Sequence, residues 1–300
     1  MIAIDLGSNT IRFIEYNGKE WGQSFEKIVR TAEGLNLSGE IGSLTLERIV
    51  DAIDEAKTIF DFSSQDVVAI TTAAMRIAKN SEEIRQQIQE KTGVYFRLID
   101  GETEALLTLK AVSNRLNLLS IPDDDFILVD IGGGSTEIIV VSNGDIQAKS
   151  FPLGIVTLSE KSATADILEN ELKFFHKIVA GYIDEVVLSY PPKTLVMTAG
   201  TPTTMVAYRM GMNYISYDAT KINGSVLMRK DCSLILDELI AMDEQTRATY
   251  VGVGREGLIA TGIRIVEIIF DALKEESAVV IDDGLREGVA LNYYSESYIQ

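Results

Sequence analysis

The chain has 300 residues, of which 46% are hydrophobic and 24% are charged. This composition is typical of a soluble globular protein, and the length predicts two domains at about 150 residues each. The 45 acidic residues exceed the 27 Lys and Arg and give a formal net charge of −18. That balance argues against duplex nucleic acid or an anionic membrane as the main partner, because both attract basic surfaces.

The single cysteine, Cys232, and the single histidine, His176, limit the redox and metal chemistry of the chain. They exclude an intrachain disulfide and a metal site that needs two Cys or two His ligands. A bound metal is therefore expected to be a hard, oxygen-ligated ion such as Mg²⁺. The N-terminal strand pattern is not that of a signal peptide, and no run approaches the ~20 apolar residues of a membrane span. These features predict a cytoplasmic protein.

Two segments of the chain resemble each other, and each indicates a hairpin whose first strand ends in aspartate. They are 2–18 (IAIDLGSNTIRFIEYNG) and 127–144 (ILVDIGGGSTEIIVVSNG). Asn-Gly after the second strand indicates a tight turn in which both residues accept positive φ. The aspartates lie 125 positions apart and the turn asparagines 126, which predicts one extra residue in the second loop. The repeat predicts two related lobes.

Alternating helices and strands are predicted between the two hairpins. Apolar residues recur at helical spacing from Thr45 to Phe60, and Asn80 with Glu83 has the spacing of a helix capping box. The predicted helices span 45–60, 81–91 and 101–116, and the predicted strands span 67–70 and 95–99. Pro122 and the three acids after it indicate a linker, which predicts a first lobe of 1–119 and a second of 120–300.

The second half repeats the order of strands and helices. Predicted helices span 165–189, 203–210, 228–242, 257–273 and 285–300, and predicted strands span 194–197 and 278–281. The last helix is expected to pack back onto the first lobe. Mixed elements in two related halves predict an α/β protein with an active cleft between its lobes.

The two loops after the strand aspartates have the composition of phosphate-binding turns. Glycines let backbone N–H groups converge on an anion, and an adjacent aspartate suits hydrated Mg²⁺, which takes few carboxylates. The predicted phosphate-binding residues are Gly7, Ser8, Asn9, Thr10, Gly132, Gly133, Gly134, Ser135 and Thr136. The predicted metal ligands are Asp5, Asp130 and Glu137. The alternative is a pair of tight turns without a ligand.

A third loop, 198–204, lies between a predicted strand and a predicted helix. Its small residues, Gly200 and Thr201 among them, open the helix N-terminus to an anion or a nucleotide. Such turns commonly use Gly and Thr for capping, so this signal has weight only beside the other two loops.

Seven motifs together resemble the exopolyphosphatase/guanosine pentaphosphate phosphohydrolase family. They are DLGSNT (5–10), TAAMR (72–76), GETEA (101–105), DIGGGSTE (130–137), PLG (152–154), GTPTT (200–204) and DGLREG (283–288). The wider superfamily contains acetate and sugar kinases, heat-shock chaperone ATPases and actin. The resemblance implies two actin-like, ribonuclease H-like lobes related by duplication, with the active site in the cleft between them.

The resemblance also implies Mg²⁺-dependent removal of the terminal phosphate from polyphosphate, from guanosine pentaphosphate, or from both. Glu104 matches the base that activates water, and Arg76 matches an arginine at the phosphate site. Asp130 and Glu137 match the metal and phosphate-site carboxylates, and Arg255 matches a substrate-contacting arginine.

The chain departs from the family pattern at two positions. Thr103 precedes Glu104 where two adjacent acids are common, and Pro202 stands where a small flexible residue is commoner.

Phosphoryl transfer depends on positioning and charge stabilisation, which loops, Mg²⁺ and a few arginines supply even on a strongly acidic protein.

Several alternatives to the hydrolase interpretation stay open at this point. Glu104 also favours a helix start, and an arginine in the context of Arg76 is commonly a surface residue. The rival functions are an ATP-dependent kinase of the same superfamily and a non-catalytic sensor of guanosine tetra- or pentaphosphate. A homodimer is the commonest state of soluble oligomers and is the expectation for this chain.

Overall fold

The computed structural model describes residues 1–161, 164–187 and 194–297, and mixes helices with strands throughout. The strands are β1 (Ile2–Leu6), β2 (Thr10–Tyr16), β3 (Trp21–Ile28), β4 (Val67–Thr71), β5 (Phe96–Leu98), β6 (Asp125–Ile131), β7 (Thr136–Ser142), β8 (Asp145–Phe151), β9 (Thr194–Thr198), β10 (Ser225–Met228) and β11 (Ser277–Val280). The helices are α1 (Leu35–Ser38), α2 (Ser43–Ala56), α3 (Ala73–Ile77), α4 (Ser81–Thr92), α5 (Gly101–Leu118), α6 (Ile155–Lys161), α7 (Ala165–Val187), α8 (Gly200–Arg209), α9 (Ala219–Ile222), α10 (Arg229–Ala241), α11 (Glu244–Val251), α12 (Ile259–Leu273) and α13 (Leu285–Ser297).

The chain forms two compact units. One contains Met1–Ala111 and the C-terminal segment from Gly284, and the other contains Val112–Asp283. The division therefore falls inside α5, whereas the sequence predicts lobes of 1–119 and 120–300. Helix α13 packs on β1 and β2 of the first unit, through Leu285, Val289 and Ala290.

The first unit is built on a five-stranded sheet in the order β3-β2-β1-β4-β5. Strands β1, β4 and β5 run parallel, and β2 and β3 are antiparallel to their neighbours. Every residue of β1 is buried, as expected for an apolar strand at the centre of a sheet with a helix packed on it.

The second unit has a six-stranded sheet in the order β10-β11-β9-β6-β7-β8. Strands β6, β9 and β11 run parallel, and β7, β8 and β10 are antiparallel to their neighbours. Apart from the added edge strand β10, the order and directions repeat those of the first unit. The predicted fold class, an α/β protein with two related lobes, is confirmed.

In the structure, the extra residue of the second copy does not lie in its loop. Leu6 pairs with Ile11 and Ile131 with Thr136, so each loop holds the same number of residues. The prediction of a longer second loop is wrong, because the extra residue lies further along, in β7. β7 stays in continuous register with β8, whereas β2 has an irregular register with β3.

The two Asn-Gly turns also differ in conformation. Asn143 and Gly144 both have positive φ, as predicted for a two-residue hairpin turn. In the first copy only Gly18 does, and the turn extends over 17–20. The Asn17 side chain closes this longer turn, since its Oδ1 accepts hydrogen bonds from the backbone N–H groups of Lys19 and Glu20.

Most predicted helices are present with ends shifted by a few residues, but one predicted cap is absent. Asn80 does precede α4, yet its side chain makes no capping hydrogen bond. Instead it bonds the backbone of Ile41, accepting from the N–H at 2.9 Å and donating to the carbonyl at 3.0 Å. The Asn80 side chain therefore makes a tertiary contact with Ile41, although local spacing predicts that it caps the helix.

Part of the predicted helix 165–189 and the residues Pro191 and Pro192 lie outside the described residues. Helix α7 is described to Val187. Among the described residues, no helix is long and apolar enough to cross a membrane.

Candidate active site

In the first unit, the carboxyl ends of the parallel strands β1, β4 and β5 bring the predicted residues to one edge of the sheet. Asp5 lies near the end of β1 and is buried. Thr71 is the last residue of β4, and its Oγ1 donates a hydrogen bond to the Leu6 carbonyl of β1 at 2.8 Å. Ligands of open α/β sheets bind at this edge.

Glu104 and Arg76 form an ion pair in the first unit. Glu104 lies in the first turn of α5 and is 8% exposed. Arg76 Nη1 donates to Glu104 Oε2 at 2.7 Å and to the Ile99 carbonyl at 3.1 Å. The structure thus brings together the two residues that the sequence predicts as catalytic, which are 28 positions apart.

Asp100 fixes the start of the helix that carries Glu104. Its Oδ1 accepts a hydrogen bond from the Thr103 backbone N–H at 2.8 Å. That bond, together with the Thr103 hydroxyl and the nearby Arg76 guanidinium, lowers the pKa of Asp100 below its ordinary value. Asp100 is thereby held as a carboxylate, which stabilises the helix N-terminus.

The loops at 7–10 and 132–135 are closed by the same backbone hydrogen bond. Gly7 N–H donates to the Thr10 carbonyl at 3.0 Å, and Gly132 N–H to the Ser135 carbonyl at 2.9 Å. Because both loops have the same length and the same closing bond, they are structural equivalents.

In each unit, the segment that follows the strand after the hairpin (β3 or β8) donates backbone hydrogen bonds to the carbonyl groups of the glycine loop. In the second unit, the N–H groups of Ile155 and Val156 at the start of α6 donate to the carbonyls of Gly132 and Gly133 at 3.0 and 2.8 Å. Within the described residues, nothing accepts a hydrogen bond from the N–H groups of Gly133 and Gly134. The loop therefore has its carbonyls occupied and amides available, which is the arrangement of an anion-binding nest.

The first unit repeats this arrangement with residues 29–32. Val29 and Arg30 donate their N–H groups to the Asn9 carbonyl at 2.9 Å, and Ala32 donates to the Ser8 carbonyl at 2.8 Å. The prediction that residues 7–10 and 132–136 bind phosphate stays a prediction, and this geometry supports it.

Gly154 explains the PLG motif. A Cβ added to Gly154 would lie 2.5 Å from the Gly133 carbonyl carbon and 2.6 Å from the Gly134 nitrogen. Real Cβ atoms essentially never come so close, so only glycine allows this segment to approach the loop. Thr157 holds the approach, since its Oγ1 accepts from Gly154 N–H at 2.8 Å.

A row of polar residues crosses the sheet of the second unit. Asp130 pairs in register with Glu137 on β7 and with Thr198 on β9, and Glu137 pairs with Ser150 on β8. In-register neighbours share one face of a sheet, so Thr198, Asp130, Glu137 and Ser150 form one line, here called the polar row. Ser150 Oγ donates to Glu137 Oε1 at 2.6 Å.

The equivalent line in the first unit has a different charge pattern. Asp5 pairs in register with Arg12, and Arg12 with Glu26, whose carboxylate lies 3.5 Å from Arg12 Nε. A cation thus stands opposite Asp5, where a second carboxylate stands opposite Asp130. The predicted role of Asp5 as a metal ligand stays a prediction.

Asp130 and Glu137 fit a divalent metal ion. Like charges directly opposite on antiparallel strands are destabilising, and a cation beside both carboxylates offsets their repulsion. Within residues 1–161, 164–187 and 194–297, no group of three or more His, Cys, Asp or Glu is arranged to hold a metal. Mg²⁺ needs no such group, because it is commonly held by one or two carboxylates, with water and substrate phosphates completing its shell.

The third predicted loop starts helix α8 through a strained residue. Ala199 precedes the helix with φ 78°, which L residues rarely adopt. Thr203 Oγ1 donates to the Ala199 carbonyl at 3.0 Å, and Pro202 stands in the first turn, where proline is tolerated. Thr201 is buried and packs against Gly262 of α12. Phosphate or nucleotide binding by Gly200 and Thr201 stays a prediction.

Arg255 lies in the segment between α11 and α12. Its guanidinium carbon is 5.9 Å from the centre of the Tyr214 ring, a cation–π distance. The structure therefore supplies an aromatic partner for Arg255, and its predicted contact with substrate is untested.

Sequence reasoning missed Arg12 and Ser150. Aligning the two copies at Asp5 and Asp130 places Arg12 against Glu137, each seven positions after its aspartate. That alignment was available in the sequence. Ser150 required the β7–β8 register, which the sequence does not display.

Comparisons with known proteins agree with this architecture. The model of the Ppx/GppA phosphatase family matches residues 23–296. Exopolyphosphatase 2 of Mycobacterium tuberculosis is 26% identical, with 97% of each chain covered. The guanosine-5'-triphosphate,3'-diphosphate pyrophosphatase of Pseudoalteromonas translucida is 26% identical over 98% of this chain and 59% of its own length.

Solved structures are similar over nearly the whole chain. The crystal structure of the Aquifex aeolicus member of the Ppx/GppA family has a TM-score of 0.75 and 26% identity, covering 99% of this chain and 97% of that one. The crystal structure of an exopolyphosphatase-like protein has a TM-score of 0.84 and 25% identity, covering 99% of both chains. Since the family model spans most of its length, the chain belongs to the Ppx/GppA phosphatase family.

Proposed function

We propose that the protein is a Mg²⁺-dependent hydrolase that releases the terminal phosphate of inorganic polyphosphate, guanosine pentaphosphate, or both. The relatives named exopolyphosphatase and guanosine pentaphosphate pyrophosphatase support a phosphoanhydride hydrolase. The observation that carries the proposal is the buried Glu104 carboxylate paired with Arg76 at the strand edge that also bears loop 7–10.

Arg76 is arranged to contact Glu104 and a phosphate at the same time. Both of its hydrogen bonds use Nη1, and in the part of the chain that the structure describes no acceptor contacts Nε or Nη2. Those two nitrogens form the edge of the guanidinium that binds phosphate oxygens in a bidentate manner. Arg76 therefore stabilises charge on the terminal phosphate while its Nη1 orients the Glu104 carboxylate.

Glu104 acts as the general base in this proposal. A water oxygen attacks the terminal phosphorus in line, and the bond to the bridging oxygen breaks with its electron pair on the departing chain. Glu104 takes the proton of the attacking water. The products are inorganic phosphate and either polyphosphate shortened by one unit or guanosine tetraphosphate.

The two glycine loops and the polar row supply electrostatic stabilisation. The backbone N–H groups of Gly133 and Gly134 donate to phosphate oxygens in the nest. Mg²⁺, when bound, neutralises phosphate charge, and Asp130 and Glu137 would hold it. Because the chain carries a formal net charge of −18, binding of a polyanion depends strongly on these local groups and on the metal.

Phosphate release tests the proposed activity. The protein is incubated with polyphosphate, guanosine pentaphosphate or ATP, each with and without Mg²⁺. Release from either of the first two only with Mg²⁺ is expected. No release from either substrate would refute the hydrolase, and tight binding of guanosine pentaphosphate without turnover would favour the sensor instead.

Two isosteric variants on one helix test the base. Glu104→Gln is expected to lower kcat by about 10²-fold or more, because general-base catalysis contributes about 10²–10⁴-fold. Glu102→Gln is the matched control, since Glu102 is exposed on the same turn of α5, and it is expected to keep full activity. Full activity in Glu104→Gln would remove Glu104 from the mechanism while leaving the enzyme class intact.

A further inference from the structure

Glu137 is buried beside a second carboxylate, although it lies near the end of a strand. Its side chain is buried, with 1% of the residue exposed. One in-register neighbour, Asp130, is also a carboxylate. A buried carboxylate next to another needs donors or a cation to offset its desolvation.

Ser150 supplies one such donor from the opposite side. It pairs with Glu137 on the edge strand β8, and its Oγ donates to Glu137 Oε1 at 2.6 Å. A serine hydroxyl has one proton to donate, so this bond commits it to Oε1. The bond fixes the rotation of the Glu137 carboxylate.

Comparison of the two copies indicates that this donor is specific to the acidic row. The position equivalent to Ser150 in the first unit is Glu26, which pairs with Arg12. There a cation lies between two acids and the line needs no hydroxyl. In the second unit Arg12 is replaced by Glu137, and the neighbouring position carries a hydroxyl donor.

We infer that Ser150 is a positioning residue that orients Glu137 for the divalent cation of the polar row. Ser150 contacts neither the metal nor the substrate and acts through Glu137. This inference rests on the proposed function for its Mg²⁺, although metal binding can be measured without turnover. Outer-shell partners of this kind typically change metal affinity by about 10–100-fold when removed.

Binding of Mg²⁺ alone to the full chain, measured by titration calorimetry without substrate, provides the test. Ser150→Ala is expected to weaken Mg²⁺ binding by about 10–100-fold, and Ser150→Thr, which keeps the hydroxyl, is expected to restore it. Ser150→Cys has nearly the size of serine but a weak donor, so it is expected to resemble Ser150→Ala even if the alanine variant folds poorly.

Ser142→Ala is the matched control. Ser142 also faces an in-register carboxylate on the same sheet, donating from its Oγ to Asp125 Oδ1 at 3.4 Å, but at the far end of β6 and β7. Removing this hydroxyl is expected to leave Mg²⁺ affinity unchanged. Equal losses in Ser142→Ala and Ser150→Ala would show a general effect on the sheet and overturn the positioning role.

The Mg²⁺ dependence of phosphate release separates this inference from the proposed function. In Ser150→Ala, the Mg²⁺ concentration for half-maximal rate is expected to rise by the same factor as the dissociation constant, with kcat at saturating Mg²⁺ nearly retained. Wild-type Mg²⁺ affinity in Ser150→Ala, or no Mg²⁺ binding by the wild type, overturns the inference. If the wild type binds Mg²⁺ with an affinity that Ser150→Ala weakens but releases no phosphate, the function is refuted and the positioning role still stands.

Discussion

Substitution of Gly154 by alanine perturbs the second glycine loop without changing any of the side chains proposed to act in binding or catalysis. Gly154 does not have positive φ, so alanine meets no backbone strain there. Its N–H bond to Thr157 is also retained. The only new feature is a methyl group 2.5 Å from the Gly133 carbonyl carbon and 2.6 Å from the Gly134 nitrogen.

The size of the effect follows from these distances. Carbon atoms pack best at about 3.5–4.0 Å, so the Gly133–Gly134 peptide must move by about 1 Å or the chain at Gly154 must retreat by that amount. Overpacking of this kind costs about 1–3 kcal/mol of unfolding free energy. A shift of about 1 Å in groups that position a substrate costs about 10²-fold in rate.

Two measurements on Gly154→Ala check this reasoning. Urea unfolding is expected to show the loss of about 1–3 kcal/mol, and kcat/KM for phosphate release is expected to fall by about 10²-fold. Gly181→Ala in α7 is the control, because a Cβ there meets nothing within 4 Å. It is expected to keep full activity and to gain about 0.5–1 kcal/mol, since alanine favours helix. Unchanged kcat/KM in Gly154→Ala would refute the role of this close approach.

Three further predictions follow from the packing and the titratable groups. Gly288→Ala is expected to destabilise the first unit by about 3 kcal/mol in urea unfolding, because its Cβ would lie 2.5 Å from the Leu107 carbonyl carbon; an unchanged midpoint would contradict this packing. Burial raises the pKa of the Cys232 thiol to about 12, so at pH 8 only about 10⁻⁴ of it is thiolate. A thiol reagent is expected to modify Cys232 only after denaturation, and rapid labelling of the native protein would show that the residue is accessible. The lowered pKa of Asp100 means that its charged form favours the folded state above the unfolded pKa and loses this effect as pH falls through the folded value. Asp100→Asn is therefore expected to lower Tm at pH 7 and to converge with the wild type near pH 2, whereas a constant difference would argue against a charge effect.

The two copies share a backbone arrangement but differ in the charge of the residue opposite the strand aspartate. The loop closing bond, the carbonyl contacts and the sheet order recur in both units. The residue opposite the strand aspartate is Arg12 in one and Glu137 in the other. An arginine suits direct contact with phosphate, and a second carboxylate suits a cation. Duplication followed by this exchange gives the two loops different chemistry on one scaffold.

Local pattern in the sequence determined the fold class, the duplicated hairpins and most helices, and the resemblance of its motifs to a known family indicated the candidate catalytic pair. These features depend on hydrophobic period, turn residues and short motifs, which act over a few residues. The sequence also contained the Arg12–Glu137 equivalence, because both residues follow their aspartates by the same number of positions.

Only the tertiary structure decided the features that depend on register and on contacts between distant segments. The extra residue lies in β7, and the Asn80 side chain bonds the backbone of Ile41 and does not cap its helix. Ser150 donates a hydrogen bond to Glu137 across the sheet. The tertiary structure also explained Gly154, whose need for glycine arises from the loop that packs against it. Which atoms meet across a sheet is set by the balance of packing and hydrogen bonds over the whole unit, and a linear pattern does not contain that balance.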